Sequence, residues 1–377
     1  MHKNKKIVLS FVIIFIFTAL LSRVHVYNSI LNPFDSSNKS YDFYDLYYKY
    51  FQVSRSFEDP DIVLFNIEDK SRAEIIESIK IINAAQPKLI SINIFINSPE
   101  LDSIIDHNIS RYVLAYDTRA ISQQHNVDGI NYGHVQLAGK DNITARQFLT
   151  SIKDHSGRPI RSLGQIIASK YLRRKPIELP SEQYIHYSVD MVKSAFSPLT
   201  SKKDYFLTLD ADLIEDNFQS LSKRIRNKIV LIGVVDNSIC IYEDRHYTPY
   251  NNKLFSRSFP DMSSTQIHAN IIRMLLDDKI IKQVPSYIQI ILSIVIIYIL
   301  LRFIHVRNLR SSGFDIISKS VFALYAIFLV ISSMFLFRFY LLRLSLDLFL
   351  VPVLFSETAY SMADKLIEIY SKKIKNA

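Results

Sequence analysis

The chain has no tryptophan, one cysteine and seven glycines in 377 residues. Each shortage removes a class of function. Cys240 alone cannot build a disulfide framework or a multi-cysteine metal site. With so few glycines, and no G-x-G-x-x-G or P-loop pattern after any strand-like run, the phosphate cradles of nucleotide-binding folds are missing. Neither a G-x-S-x-G elbow nor an H-E-x-x-H pair is present, so the usual serine-hydrolase and zinc-protease arrangements are missing too.

Long uncharged runs are what the chain has in quantity. Residues 7–22 (IVLSFVIIFIFTALLS) follow Lys3, Lys5 and Lys6, and are close to the shortest length that spans a bilayer. A cleaved signal peptide has the same outline. Arg23 and His25 follow in place of a small-x-small site, so the expectation is a retained anchor. Residues 285–304 contain SYIQIILSIVIIYILL, with no charge before Arg302, and residues 320–337 (SVFALYAIFLVISSMFLF plus flanks of the same character) carry none. A fourth run, 344–360, is interrupted by Asp347, Pro352 and Glu357. Arg338 and Arg343 bracket a short connection, so the third and fourth runs are expected to form a helical hairpin. Ionisable residues within a bilayer are costly, which raises a role for Asp347 and Glu357; both lie near an end of the weakest span.

Basic residues orient the spans. Lys3, Lys5 and Lys6, then Arg302, Arg307, Arg310 and Lys319, then Lys365, Lys372, Lys373 and Lys375 all fall on one side of a four-span arrangement. The expected order is a cytoplasmic tail (1–6), spans at 7–22, 285–304, 320–337 and 344–360, a large outer segment (23–284), a cytoplasmic basic loop (305–319) and a cytoplasmic tail (361–377). The net charge of +9 resides almost wholly in the three inner segments. It reports topology, and nucleic-acid binding loses its support.

The outer segment alternates strand-like and helix-like runs. DIVLFNIED (61–69) is followed by KSRAEIIESIKIINAAQP, which spaces Ile75, Ile76, Ile79 and Ile82 at helical intervals, and then by KLISINIFI (88–96). This is a βαβ unit, which demands parallel strands and a right-handed crossover. YVLAYD (112–117), GHVQLAG (133–139), YIHYS (184–188) and YFLTLDADLI (205–214) read as further strands or edges, RSLGQIIASKYL (161–172) and DNFQSLSKRI (216–225) as helices. A buried strand over 228–235 and a capped helix in SSTQIHANIIRMLLDD (263–278) close the set. The fold class expected is α/β with a mostly parallel sheet, joined to a transmembrane α-helical part. The Tyr-rich YDFYDLYYKYF (41–51) is expected to be a membrane-proximal helix.

Chemistry concentrates after the 228–235 strand, where Asp236, Glu243, Asp244, His246, Thr248, Asp261 and His268 occur. Carboxylates and imidazoles can hold a cation if the fold converges them. No pair has the i, i+4 spacing of a helical metal face, and the same residues serve equally as caps and turns. No metal and no cofactor is assigned. Asp69, Asp117 and Asp128 are ordinary loop acids.

Three stretches resemble the CHASE2 family, the extracytoplasmic input domain of bacterial histidine kinases, cyclases and related receptors. They are DIVLFNIEDKSRAEIIESIKIINAAQPKLISINIFI, NKIVLIGVVDNS followed by EDRHYTP, and FPDMSSTQIHANIIRMLLDDKIIKQVP. One span before the domain and three after it also match the family layout. Where the family usually has glycine before its last helix, this chain has Ser263, Ser264 and Thr265. Only about 16 residues (MADKLIEIYSKKIKNA) follow the last span, so the resemblance implies a receptor-like module with no attached output domain.

That resemblance implies a non-enzymatic bacterial inner-membrane protein. Its periplasmic domain would bind an unknown signal or partner, with Asp236, Asp244, His246, Thr248, Asp261 and His268 as ligand-binding candidates, and relay a state change to a separate membrane or cytoplasmic effector. A structural or assembly subunit of an envelope complex is the alternative, and a periplasmic metal-dependent enzyme a third.

Overall fold

The structure, a computed structural model, describes residues 2–23, 42–52, 58–67, 70–94, 98–116, 129–138, 144–154, 156–189, 191–194, 205–210, 218–235, 245–251, 260–308 and 315–375. In chain order the main elements begin with α1 (His2–Arg23), β1 (Glu58–Asn66), α2 (Arg72–Ala84), β2 (Leu89–Ile92), α3 (Pro99–Asp106), β3 (Tyr112–Tyr116) and β4 (Asn131–His134). There follow α4 (Leu163–Leu172), β5 (Met191–Ser194), β6 (Tyr205–Asp210), α5 (Phe218–Ile225), β7 (Ile229–Gly233), β8 (Arg245–His246), β9 (Met262–Ser263) and α6 (Ser264–Leu276). The chain ends in α7 (Ser286–Asn308), α8 (Asp315–Tyr340) and α9 (Asp347–Lys375). Two compact units result, an α/β unit built from Tyr48–Ile281 and a helical unit that includes Lys282–Ala377 and α1.

In the α/β unit, seven strands form one sheet in the order β4-β3-β2-β7-β1-β6-β5. Every described pairing in it is parallel. Alternation along β1 shows why these residues need a layer on each face. Val63 and Phe65 pack with Ile75, Ile79 and Ile82 of α2, Leu101 of α3 and Leu221 of α5. Ile62 and Leu64 pack with Leu163 and Ile167 of α4 and Ala269 and Ile272 of α6. Each fully buried branched side chain contributes roughly 1.5–3 kcal/mol, which replaces the disulfides this chain cannot make.

Local signals set the element ends. Ser71 accepts the Glu74 amide while Glu74 accepts the Ser71 amide at 2.7 Å, so α2 starts in a capping box. It stops before Gln86, whose φ is +55°, and Pro87. The strand expected over 133–139 is shorter than its sequence suggests: β4 ends at His134, and Leu137 turns away to bridge Phe148. Gly133 is why α4 can approach, since a Cβ there would lie 2.4 Å from Leu163 Cα. The edge expected at 184–188 is also displaced. Pairing with Gln147–Leu149 uses Glu182–Tyr184, and the following residues are held by side chains of α6.

In the helical unit, α7 and α8 contain Ser286–Val306 and Ser320–Tyr340, both long and apolar enough to cross a membrane. α7 and α9 run side by side in the same direction, with Ser293 Oγ donating to the Leu348 carbonyl at 2.7 Å and His305 Nδ1 2.7 Å from the Tyr360 hydroxyl, twelve residues on along both helices. α1 joins them through Ile7 and Ile14 and the Lys6–Asp364 ion pair. The α8–α9 connection carries more structure than a plain hairpin turn. Leu342–Arg343 pair in parallel with Lys282–Gln283, Arg343 forms an ion pair with Asp42, and the Ser345 amide donates to Gln289 at 2.7 Å. The Tyr-rich segment ends in a π-turn, Tyr47–Phe51, with Tyr44 and Tyr47 packed on Phe337. Beyond Tyr360, where a tail was expected, α9 stays helical to Lys375.

Candidate functional site

Open parallel sheets bind ligands outside the carboxyl ends of their strands. Here those ends form a polar row. Asn66, which ends β1, donates to Asp210 at 3.3 Å and accepts the Val235 amide at 3.1 Å. Asn93, just after β2, donates to the Thr265 hydroxyl at 3.3 Å. Gly233 ends β7 beneath the first turn of α6, and a Cβ on it would meet Thr265 Oγ1 at 2.3 Å. Only glycine allows the helix to seat there. The segments that continue from these strand ends, 68–69, 95–97, 117–128, 211–217 and 236–244, lie outside the described residues.

α6 begins over this row without the glycine that its relatives use. Ser263 caps it, accepting the Gln266 amide, while Gln266 returns the bond to the Ser263 amide at 2.9 Å. β8 and β9 pair antiparallel in front of it, Arg245 opposite Ser263 and His246 opposite Met262.

Four of the six residues singled out by the sequence meet around this helix start. The Asp261 amide donates to the His246 carbonyl at 3.1 Å. The Asp261 carboxylate accepts the Thr248 amide at 2.9 Å, the Thr248 hydroxyl, and Asn251 Nδ2 at 3.0 Å. Thr248 is fully buried. The charge of Asp261 is therefore satisfied inside the protein, and the pair fixes the two ends of the 248–261 loop. His246 Nε2 lies 3.0 Å from the Ser264 hydroxyl. His268, one turn into α6, is buried and its Nε2 lies 3.2 Å from the Val135 carbonyl; a carbonyl only accepts, so Nε2 carries the proton. Asp236 and Asp244, and Glu243 beside them, lie outside the described residues.

A residue that the sequence did not mark belongs to the same group. His134 ends β4, is fully buried, and accepts the Gln136 amide on Nδ1 at 3.3 Å. Burial pushes its imidazole down to about 4. His268 is likewise pushed down to about 4, by burial first and then by the opposing charges of His134 and His246. The three imidazoles are thus near neighbours, and the two buried ones are neutral at ordinary pH. A histidine closing a predicted strand was the available signal. Among the described residues, no three His, Cys, Asp or Glu side chains converge as metal ligands.

The domain's outer segments are tied to this region by hydrogen bonds and ring contacts. Tyr250 packs edge-on to Tyr48 and Tyr187, and its hydroxyl donates to Gln52 at 2.6 Å. Gln52 in turn donates to the Tyr187 carbonyl at 2.8 Å.

The family model described as the CHASE2 domain matches residues 13–303. The chain belongs to the CHASE2 family. The match takes in the α/β unit, the strand ends, the α6 start and most of the helix that follows. CHASE2 is an extracytoplasmic sensory domain, not a catalytic one, and the array above suits that role: it is hydrogen-bonding, largely neutral and closed around its one described carboxylate. No curated protein and no solved structure matches the chain.

Proposed function

We propose that this protein is a multi-pass sensory component of a bacterial inner membrane. Its CHASE2 domain lies in the periplasm, binds a signal at the carboxyl ends of β1, β2 and β7, and relays a change of state to a separate effector. The CHASE2 match over both the α/β unit and α7 carries this reading. The helical unit supports the topology: Lys6 of α1, His305 of α7 and Asp364 of α9 gather at one end, while Gln289, Arg343 and Asp42 gather at the other. Only spans that cross as the basic residues dictate produce that grouping. A ligand biases the effector only through differential contact with two states, so a coupled partner is part of the proposal.

Site-specific crosslinking from α9 in native membranes tests it. Recovery of a kinase, cyclase or regulator supports sensing. Recovery of a fixed-ratio envelope complex, with nothing regulatory in it, would replace sensing by assembly.

A further inference from the structure

Past the Lys6–Asp364 ion pair, α9 is exposed nearly all round, with only Ile367 half-buried between Asp364 and Lys372. At about 100° per residue, Met362, Leu366, Ile369 and Tyr370 share one arc roughly 100° wide. They are 47%, 49%, 63% and 68% exposed, so a solvent-facing helix carries an uncovered apolar stripe. The stripe extends back into the spanning part through exposed Leu354 and Thr358, each four residues before the next member. A single i±4 ridge therefore runs from Leu354 to Tyr370.

Lipid covers such a ridge inside a bilayer, but not beyond it. α9 is unbroken to Lys375, with Pro352 its only internal proline, and its length of about 43 Å exceeds a hydrocarbon layer of about 30 Å. The covering element has to be embedded in the same membrane and emerge from the same face with an apolar row at the same height. The α9 helix of a second copy has each of these properties, and the bilayer holds both copies parallel. The spacing of four then three from Met362 to Leu366 to Ile369 is that of a parallel two-helix seam.

We infer that α9 is a self-association seam through which two copies of this chain pair along the Leu354–Tyr370 ridge. This rests on the reading that the helical unit spans a membrane. Lys365 and Lys372 flank the stripe, where their stems can cover its rim while their charges stay in water.

Oxidative crosslinking of single cysteines tests the seam in the full chain, in native membranes and a Cys240→Ser background. Met362→Cys, Leu366→Cys and Ile369→Cys should give disulfide dimers at about tenfold the yield of Asp364→Cys, Glu368→Cys and Ser371→Cys on the opposite face, a margin that a register fixed by knobs-into-holes packing supports. Adding Leu366→Asp and Ile369→Asp should abolish the Met362→Cys dimer. Equal yields on both faces, or no dimer from protein that stays in alkali-washed membranes, overturn the seam. Release of the protein by the alkaline wash overturns the membrane reading on which it rests.

Discussion

Asn270 holds Val189 from both sides, its side-chain oxygen accepting the Val189 amide at 3.0 Å and its amide donating to the Val189 carbonyl at 3.0 Å. The same oxygen accepts the Ser188 amide at 3.1 Å. Gln183 reaches the Ile281 carbonyl at 2.9 Å, so the 183–189 segment is fastened to α6 at both ends. The Tyr187 carbonyl within it accepts Gln52, which places this segment between the incoming chain and the last helix of the domain.

Asn270→Leu removes one fully buried side chain and strands three backbone groups. Each buried orphan costs about 1–3 kcal/mol, so a loss of about 3 kcal/mol or more is expected. Denaturant titration of the detergent-solubilised protein measures it. A loss under about 1 kcal/mol would mean that the segment finds other partners.

Gly233→Ala should destabilise by about 1–3 kcal/mol, because the new methyl meets Thr265 Oγ1 at 2.3 Å and the core has no slack there. Thr265→Ala removes the hydroxyl and methyl that obstruct it. The double variant should therefore lose less than the sum of the singles, and strict additivity in the cycle would rule out this contact as the cause.

The parallel sheet was legible because β1, α2, β2 and β7 each carry an unambiguous period: Ile75, Ile79 and Ile82 can share a face only as a helix, and Ile229 to Ile232 can all be buried only in an interior strand. The site was legible in part. Thr248, Asp261, His246 and His268 were marked by type and position, yet nothing local shows that Asp261 closes on Thr248, thirteen residues away. His134 was missed because its significance comes from α6 packing beside the end of β4, a non-local fact. The strand overreach at 133–139 has the same origin: Gly133 admits α4, and Leu137 is drawn to Phe148.

Stability should fall in mild acid. Burial pushes His134, His186 and His268 down to about 4, against about 6.5 in an unfolded chain. Above pH 6.5 neither state is protonated and the contribution is fully present. As pH falls from 6.5 towards 4 the unfolded chain takes up protons first, and stability drops by up to about 1.4 kcal/mol per pH unit for each histidine. Denaturation midpoints at pH 7.5, 6 and 5 should show that decline, and His268→Gln should make it shallower. A pH-independent midpoint over this range would refute the assignment of neutral, buried imidazoles.

Pro352 and Ser293 should prove interdependent. A proline inside a helix has no N–H for the carbonyl four residues earlier, here that of Leu348, and an unsatisfied carbonyl in hydrocarbon is costly. Ser293 of α7 supplies the missing donor at 2.7 Å. Ser293→Ala should therefore destabilise the helical unit by about 0.6–1.7 kcal/mol, the range for hydrogen bonds between membrane helices. In a Pro352→Ala background the backbone amide of residue 352 satisfies Leu348 directly, and Ser293→Ala should then cost close to nothing. Unfolding titrations in mixed detergent micelles give both values. An equal cost in the two backgrounds would show that Ser293 acts by packing alone, and the α7–α9 register would then rest on its apolar contacts.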